Sequence, residues 1–254
     1  MDIARVALRV SDVERSASFY AAATGMRVRE LDLDAAVLAA PGSDTTLLEL
    51  RRAERPGRAP RRATGLFHTA FLYRDRASLG TAVRELAERG IPLTGASDHG
   101  VSEAVYLDDP DGLGIELYAD RPRERWPGPA PGDRVGMYTE PLDLDGVVSA
   151  AVGDLGAAAA GLAVGHVHLK VADLSQAEAF WTGSPGMGTM ARYGTEAVFL
   201  AADGYHHHIG ANTWHSRGAE PEPSKGPGLD RVVLSGDRVA ELVTPDGVAV
   251  LVEA

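Results

Sequence analysis

Alternating apolar and polar residues mark short strands, and one such pattern occurs twice along the chain. Residues 5–20 read RVALRVSDVERSASFY and residues 166–181 read HVHLKVADLSQAEAFW, at a constant offset of 161 residues. The same offset relates the Gly-Met pairs at 25–26 and 186–187. Agreement maintained without a gap predicts two copies of one structural unit.

Each copy predicts a strand, a helix and three further strands, which is a βαβββ unit. Every second residue from Val6 to Val10 is apolar, as expected for a strand with one buried face. Ser11 and Asp12, or Asp173 in the other copy, are suitable N-caps for the following helix. The Gly-Met pair then ends that helix.

Two further units occupy the rest of the chain. The second unit has a strand at 66–72, a helix at 78–89 and a hairpin at 104–118 around the turn Asp109-Pro-Asp-Gly. The fourth unit has strands at 229–234 and 248–252. It is much shorter, so we expect it to lack its helix and part of its sheet.

The sequence therefore predicts an α+β protein of four βαβββ units that form two paired, cupped mixed sheets, the fourth unit being truncated. Residues 1–120 hold two units, and residues 164–254 hold one full and one truncated unit. Residues 121–163 begin with RPRERWPGPAPG and are predicted to be a linker with a short helix at 142–151. Because this linker is longer than an ordinary connection, we expect it to cover another part of the molecule.

Composition excludes several classes of protein. The 254 residues are 44% hydrophobic, which is enough to build a core, and they include no cysteine. Disulfides, thiolate metal sites and thiol nucleophiles are thereby excluded. A net charge of −11 argues against nucleic-acid binding. The most apolar stretch, residues 156–164, is too short to span a membrane, and no secretory signal is evident. We therefore expect a soluble, cytoplasmic protein, and exposed sheet edges would permit a homodimer.

The repeated units resemble the vicinal oxygen chelate superfamily. The resemblance lies in the aromatic pairs at 19–20 and 180–181 and in the turn DPDG before a last strand. It implies that two units pair into a cupped sheet around a divalent metal held by their first and last strands. Three segments are more specifically similar to the type I extradiol ring-cleaving dioxygenases: VGHVHLKV at 164–171, FLAADGYHHHIG at 199–210 and SDHGVSEAVYLDDPDGLGIELYADRP at 97–122.

The usual ligand positions of such a dioxygenase are not intact in this sequence. The resemblance implies a triad of two histidines and one carboxylate for Fe(II), supplied by units three and four. Unit four instead carries Arg231 and Leu251 at its ligand positions, and unit one carries Arg5. An arginine offers no lone pair to a metal, and leucine has no donor atom.

Exchanging the partners restores the triad. If unit two (64–120) pairs with unit three (164–214), His68, Glu116 and His166 supply all three ligands. Units one and four would then form a scaffold without metal. Each histidine alone is equally consistent with a hydrogen-bonded core residue, but the three matching positions together favour ligation.

The resemblance also implies catalytic residues. His207 matches the acid-base histidine of the dioxygenases, and Tyr106 matches their active-site tyrosine, with His99 further upstream. His99 and Tyr106 are equally compatible with loop and core roles.

Other histidines are assigned lesser roles. His168 shares a strand face with His166 and is predicted to line the pocket. His206 and His208 are assigned either structural roles or roles in supporting the residues that line the site, because adjacent residues of a strand face opposite ways. His215 is predicted to lie on the surface or at the pocket rim.

The favoured hypothesis is an enzyme that uses Fe(II), with Mn(II) as the alternative metal, and O₂ to cleave a small catechol-like aromatic diol. An isomerase or lyase using Mn(II), Ni(II) or Zn(II) is a second hypothesis, and it predicts a second carboxylate ligand. A third hypothesis is a metal-free protein that binds and sequesters an aromatic small molecule. The sequence indicates neither a nucleic-acid nor a membrane partner.

Overall fold

The computed structural model describes residues 1–221 and 225–254, and its elements follow the repeat in the sequence. The first unit contains β1 (Ile3–Val10), α1 (Val13–Thr24), β2 (Arg27–Leu31), β3 (Ala35–Ala39) and β4 (Thr46–Arg52). The second unit contains β5 (Gly65–Tyr73), α2 (Arg76–Glu88), β6 (Gly95–Asp98), β7 (Ser102–Asp108) and β8 (Gly114–Asp120).

The second half of the chain begins with the linker, which contains a 3-10 helix (Arg123–Arg125), α3 (Leu144–Ser149) and α4 (Leu155–Ala158). The third unit contains β9 (Ala163–Lys170), α5 (Leu174–Gly183), β10 (Gly188–Tyr193), β11 (Ala197–Ala201) and β12 (Ile209–Asn212). The fourth unit contains β13 (Gly228–Ser235), β14 (Ala240–Val243) and β15 (Ala249–Glu253). The described residues between β13 and β14 contain no helix, as the truncated spacing predicts.

The strands form two mixed sheets. The order is β14-β15-β13-β1-β4-β3-β2 in the seven-stranded sheet and β10-β11-β12-β9-β5-β8-β7-β6 in the eight-stranded sheet. Units one and four share the first sheet, because β1 pairs antiparallel with β13. Units two and three share the second sheet, because β5 pairs antiparallel with β9. The predicted α+β class with two paired, curved mixed sheets is confirmed.

Aspartates begin the α-helices. The side chain of Asp12 accepts a hydrogen bond from the backbone N–H of Arg15, and Asp173 caps α5 in the same way, as predicted. Asp75 caps α2, so this helix begins at Arg76 rather than at the predicted residue 78.

The linker packs against both units that form the eight-stranded sheet. The helix predicted at 142–151 is shorter, at Leu144–Ser149, and α4 follows it. α3 contacts α2 closely at Gly80, where a Cβ atom would lie 2.2 Å from the carbonyl oxygen of Val147. Further upstream, the backbone N–H of Val135 donates to Met190 of unit three, and that of Tyr138 donates to His99 of unit two. This part of the linker therefore bridges the two halves of the sheet.

The two sheets share the main hydrophobic core. It includes Leu8 and Leu48 from the seven-stranded sheet and Phe71, Val167 and Leu200 from the eight-stranded sheet. Burial of these apolar side chains is the main contribution that holds the two sheets together. Within the described parts of the chain, no helix combines the length and the apolar character that crossing a membrane requires.

Candidate metal centre and active site

A cavity lies between the curved face of the eight-stranded sheet and the linker. Its volume is about 510 Å³, and its wall includes residues from unit two, unit three and the linker. Aromatic rings form much of the wall: Phe67, Tyr106, Tyr138, Tyr193, Phe199 and Trp214. Among the described residues that line it, none is a lysine or arginine. The cavity is therefore suited to an aromatic molecule without a negative substituent.

Strand register brings the predicted metal ligands together. His166 on β9 lies opposite Ala70 on β5, and Ala70 lies beside Glu116 on β8. His68 is two residues from Ala70, so its side chain points to the same face of β5. Glu116 in turn lies opposite Tyr106 on β7. Four strands thus direct these side chains into one cavity.

The three predicted ligands converge on one point. Nε2 of His68 lies 2.9 Å from Oε2 of Glu116, and Nε2 of His166 lies 3.1 Å from the same oxygen. One donor atom from each residue lies within 4.8 Å of the others, and all three side chains are buried. We refer to His68, Glu116 and His166 as the ligand trio.

The trio meets the requirements of a divalent metal. Nε2 of His68 lies close to the carboxylate yet forms no hydrogen bond, so this buried nitrogen has a free lone pair or proton. Ligand atoms that share a metal at about 2.1 Å lie roughly 3 Å apart, which matches the two distances to Oε2. Two imidazoles and one carboxylate form the donor set of the non-haem Fe(II) oxygenases, and that set leaves positions open for substrate.

Burial favours the protonation states that bind metal. It lowers the pKa of His166 to about 4, although the nearby Glu116 raises it. Burial also raises the pKa of Glu116, but His166 and His68 lower it by more, so its pKa lies well below the usual range. A neutral imidazole and an ionised carboxylate are the forms that coordinate a cation.

Tyr106 and His99 form a linked pair at one side of the cavity. Nδ1 of His99 lies 3.1 Å from the carbonyl oxygen of Tyr138. Because a carbonyl only accepts, Nδ1 carries the proton and Nε2 accepts from the Tyr106 hydroxyl at 2.7 Å. Both ring nitrogens of His99 are therefore engaged, and His99 acts on the cavity through Tyr106.

His207 lies on the opposite side of the trio. Its ring centroid is 4.0 Å from that of His166, and its buried Nε2 has no hydrogen-bond partner. Burial lowers the pKa of His207 well below its ordinary value, so the ring is neutral at neutral pH. His207 therefore contributes a neutral imidazole to the cavity wall beside His166.

The remaining histidines correct one prediction and match others. Residues 206–208 precede β12 rather than belonging to it, so strand alternation does not separate them. His206 lies directly against His207, with their Nδ1 atoms 2.8 Å apart. The prediction that His206 faces away from His207 is therefore wrong, whereas a supporting role beside the active-site residues was one of the two roles predicted for it.

His168 lines the cavity beside the trio, with its ring 5.0 Å from that of His68. Gly210 of β12 makes room for it, since a Cβ there would lie 2.8 Å from the His168 ring. His208 lies outside the cavity wall, near Asp2. His215 is exposed, next to Trp214 at the rim.

The seven-stranded sheet has an ion-paired cluster in the equivalent place. Nε of Arg5 lies 2.8 Å from Glu49, and its two terminal nitrogens lie 2.7 and 2.6 Å from Glu253. Arg231 and Leu251 lie on adjacent strands, β13 and β15. The positive charge of the Arg5 guanidinium therefore neutralises two carboxylates at the position where the eight-stranded sheet has the ligand trio.

Sequence reasoning missed Asp120, which hydrogen-bonds to His206. A signal was present, because Glu116 and Asp120 are four residues apart on β8 and so share a face. The sequence contained no comparable signal for Tyr138 and Trp214, which also line the cavity, because both residues lie on irregular segments.

The comparisons with known proteins agree with this architecture. Residues 2–117 match the Glyoxalase/Bleomycin resistance protein/Dioxygenase superfamily, and a relative aligns with nearly the whole chain. The chain belongs to this superfamily. The relative is Catechol-2,3-dioxygenase of Bacillus subtilis (strain 168), which is 40% identical over 240 residues, or 93% of this chain and 84% of the relative.

Two solved structures have the same fold. A candidate dioxygenase from Bacillus subtilis has a TM-score of 0.62 and 12% identity, over 99% of this chain and 84% of its own. Glyoxalase I from Zea mays has a TM-score of 0.60 and 16% identity, over 99% of this chain and 91% of its own. At these identities the similarity concerns the fold alone.

Proposed function

We propose that this protein is an Fe(II)-dependent extradiol dioxygenase that cleaves a catechol-like aromatic diol with O₂. The observation that carries the proposal is the convergence of His68, Glu116 and His166 inside an aromatic cavity. The similarity to a catechol-2,3-dioxygenase supports the reaction class. Both atoms of O₂ enter the ring-opened semialdehyde, so the reaction needs no separate reductant.

The ligand trio would hold the iron, which when bound supplies the site where the two substrate oxygens and O₂ meet. The aromatic rings of the cavity would pack against the faces of the substrate ring. The linker would help to exclude water, because Met137 and Tyr138 form part of the cavity wall.

His207 is the proposed acid-base residue. Its Nε2 would accept the proton of one substrate hydroxyl and later return it to a product oxygen, as an imidazole near neutral pH is suited to do. The Tyr106 hydroxyl, held by His99, would hydrogen-bond to an oxygen of the substrate on the other side.

The other hypotheses fit the site less well. An isomerase or lyase of this fold would need a second carboxylate ligand, and among the described residues Glu116 is the one acidic member of the metal-binding group. A metal-free binding protein would gain nothing from a buried histidine nitrogen without a partner, since leaving such a group unpaired costs about 1–3 kcal/mol.

Oxygen uptake tests the proposal. The chain is reconstituted with Fe(II) or with Mn(II) under anaerobic conditions and then mixed with catechol in air-saturated buffer. We expect O₂ consumption together with the yellow product of extradiol cleavage. Metal-dependent conversion of catechol to a ring-opened acid without an aldehyde would contradict the extradiol assignment. Absence of uptake with either metal, across several catechols, would contradict the dioxygenase assignment.

A further inference from the structure

Three side chains form a hydrogen-bonded line from the surface to the cavity. Oδ1 of Asp120 lies 2.9 Å from Nε2 of His206, and Nδ1 of His206 lies 2.8 Å from Nδ1 of His207. The Asp120 side chain is 27% exposed, whereas the His206 side chain is fully buried. His207 ends the line and contributes to the cavity wall, and its buried Nε2 has no hydrogen-bond partner.

The direction of each hydrogen bond is fixed when the carboxylate is ionised and both imidazoles are neutral, which is the state that the proposal assigns to them. An ionised carboxylate only accepts, so Nε2 of His206 carries a proton and donates it to Asp120. In a neutral ring, Nδ1 of His206 is then unprotonated and accepts. The donor must be Nδ1 of His207, which leaves Nε2 of His207 with a free lone pair.

Neighbouring groups hold this line in place. The Tyr205 hydroxyl donates to Oδ2 of Asp120 at 3.0 Å, so both carboxylate oxygens are engaged. The Tyr205 ring also packs on His206, with centroids 4.0 Å apart, and Trp126 covers another side at 5.6 Å. His206 is thus enclosed by aromatic rings that oppose rotation of its imidazole.

We propose that Asp120 and His206 are positioning residues that hold His207 in the tautomer whose Nε2 is unprotonated. The inference rests on the proposed function, in which that nitrogen receives the proton of a substrate hydroxyl. The O–H bond of the substrate breaks and the Nε2–H bond forms. With the opposite tautomer, Nε2 already carries a proton and has no lone pair with which to accept another.

Nitrogen NMR tests the tautomer without reference to activity. The chain is labelled with ¹⁵N-histidine and loaded with Zn(II), which is diamagnetic, and ring signals are assigned with His207→Gln. Protonated and unprotonated ring nitrogens have well-separated chemical shifts. We expect Nε2 of His207 to be unprotonated and Nδ1 to be protonated. The reverse pattern would overturn the proposal whether or not the protein proves to be a dioxygenase.

Kinetics test the functional consequence. Asp120→Leu removes the acceptor, and His206→Phe keeps a ring but removes both nitrogens. Each should lower kcat about 10- to 100-fold, the effect typical of residues that orient a catalytic group, while KM and iron content stay unchanged. Asp120→Asn should restore much of the rate, because its amide oxygen can accept from His206. His208→Phe is the matched control and should retain the parent rate.

The possible outcomes distinguish a failure of the positioning role from a failure of the dioxygenase assignment. Wild-type rates in both Asp120→Leu and His206→Phe, alongside a slow His207→Ala variant, would overturn the positioning role while the dioxygenase assignment stands. Loss of iron in these variants would likewise overturn it, since the residues would then support the metal. If Asp120→Leu does not fold, His206→Phe and the NMR pattern decide.

Discussion

Nε2 of His68 lies 2.9 Å from Oε2 of Glu116 without forming a hydrogen bond. Two groups this close, on neighbouring parallel strands, would ordinarily be oriented to share a proton. Their arrangement is compatible with two ligands of a common cation, which is the role we propose for them. Strand register alone produces it, because β5 and β8 are paired so that Ala70 lies beside Glu116.

His207 separates proton transfer from metal binding. His207→Ala should retain iron, because this ring contacts His166 without belonging to the ligand trio. Ring cleavage should slow by about 10² to 10⁴, the usual contribution of a general acid-base group. Single-turnover measurements on the iron-loaded variant would give the rate. An undiminished rate would rule out the assigned role, and loss of iron would make His207 a ligand.

The Arg5 cluster is expected to support stability without affecting the metal. Arg5→Ala leaves Glu49 and Glu253 without their shared cation. Because Glu253 is substantially exposed and solvent screens the pair, the loss in free energy of unfolding should be about 1 kcal/mol. Urea unfolding measures it, and Arg231→Ala serves as the control. Depletion of iron in Arg5→Ala would contradict this prediction, because it would mean that the seven-stranded sheet also affects metal binding.

Asp109 gives the stability a defined pH dependence. Burial raises the pKa of Asp109 to about 6, with Asp111 raising it further and backbone hydrogen bonds opposing. This value exceeds the unfolded value of about 3.9, so the folded state binds the proton more tightly and stability falls as pH rises from about 4 to about 6. Asp109→Asn does not titrate. Between pH 4 and pH 7, wild type should lose about 2 kcal/mol relative to this variant in urea titrations. Parallel pH profiles would contradict the assignment.

Substrate charge should control turnover. The described cavity wall offers no lysine or arginine to pair with a carboxylate. An unpaired charge in such a wall costs enough to lower kcat/KM about tenfold or more. Catechol and alkyl-substituted catechols should therefore be cleaved faster than 3,4-dihydroxybenzoate. Equal kcat/KM for charged and uncharged substrates would mean that the substrate lies elsewhere.

The fold could be predicted from the sequence because copies of a repeated unit are expected to form the same elements in the same order. The offset between Val6 and Val167 predicts equivalent strands, and failed ligand positions at Arg231 and Leu251 predict which units would exchange partners. The link between Asp120 and His206 was not predictable in the same way, because it joins a strand end to a bend 86 residues away. The linker reaches the cavity wall at Tyr138, whose backbone N–H donates to the carbonyl of His99, and a contact of that kind leaves no periodic trace in the sequence.

The proposed function requires that His68, Glu116 and His166 bind one divalent metal, and the iron content per chain measures this binding. Wild type and the variants His68→Ala, Glu116→Ala and Arg231→Ala are loaded anaerobically with Fe(II), desalted and analysed for iron, with circular dichroism to verify folding. We expect about one iron per chain in wild type and in Arg231→Ala, and little in the other two, since each loses one of three ligands. Full iron occupancy in folded His68→Ala and Glu116→Ala would contradict the account.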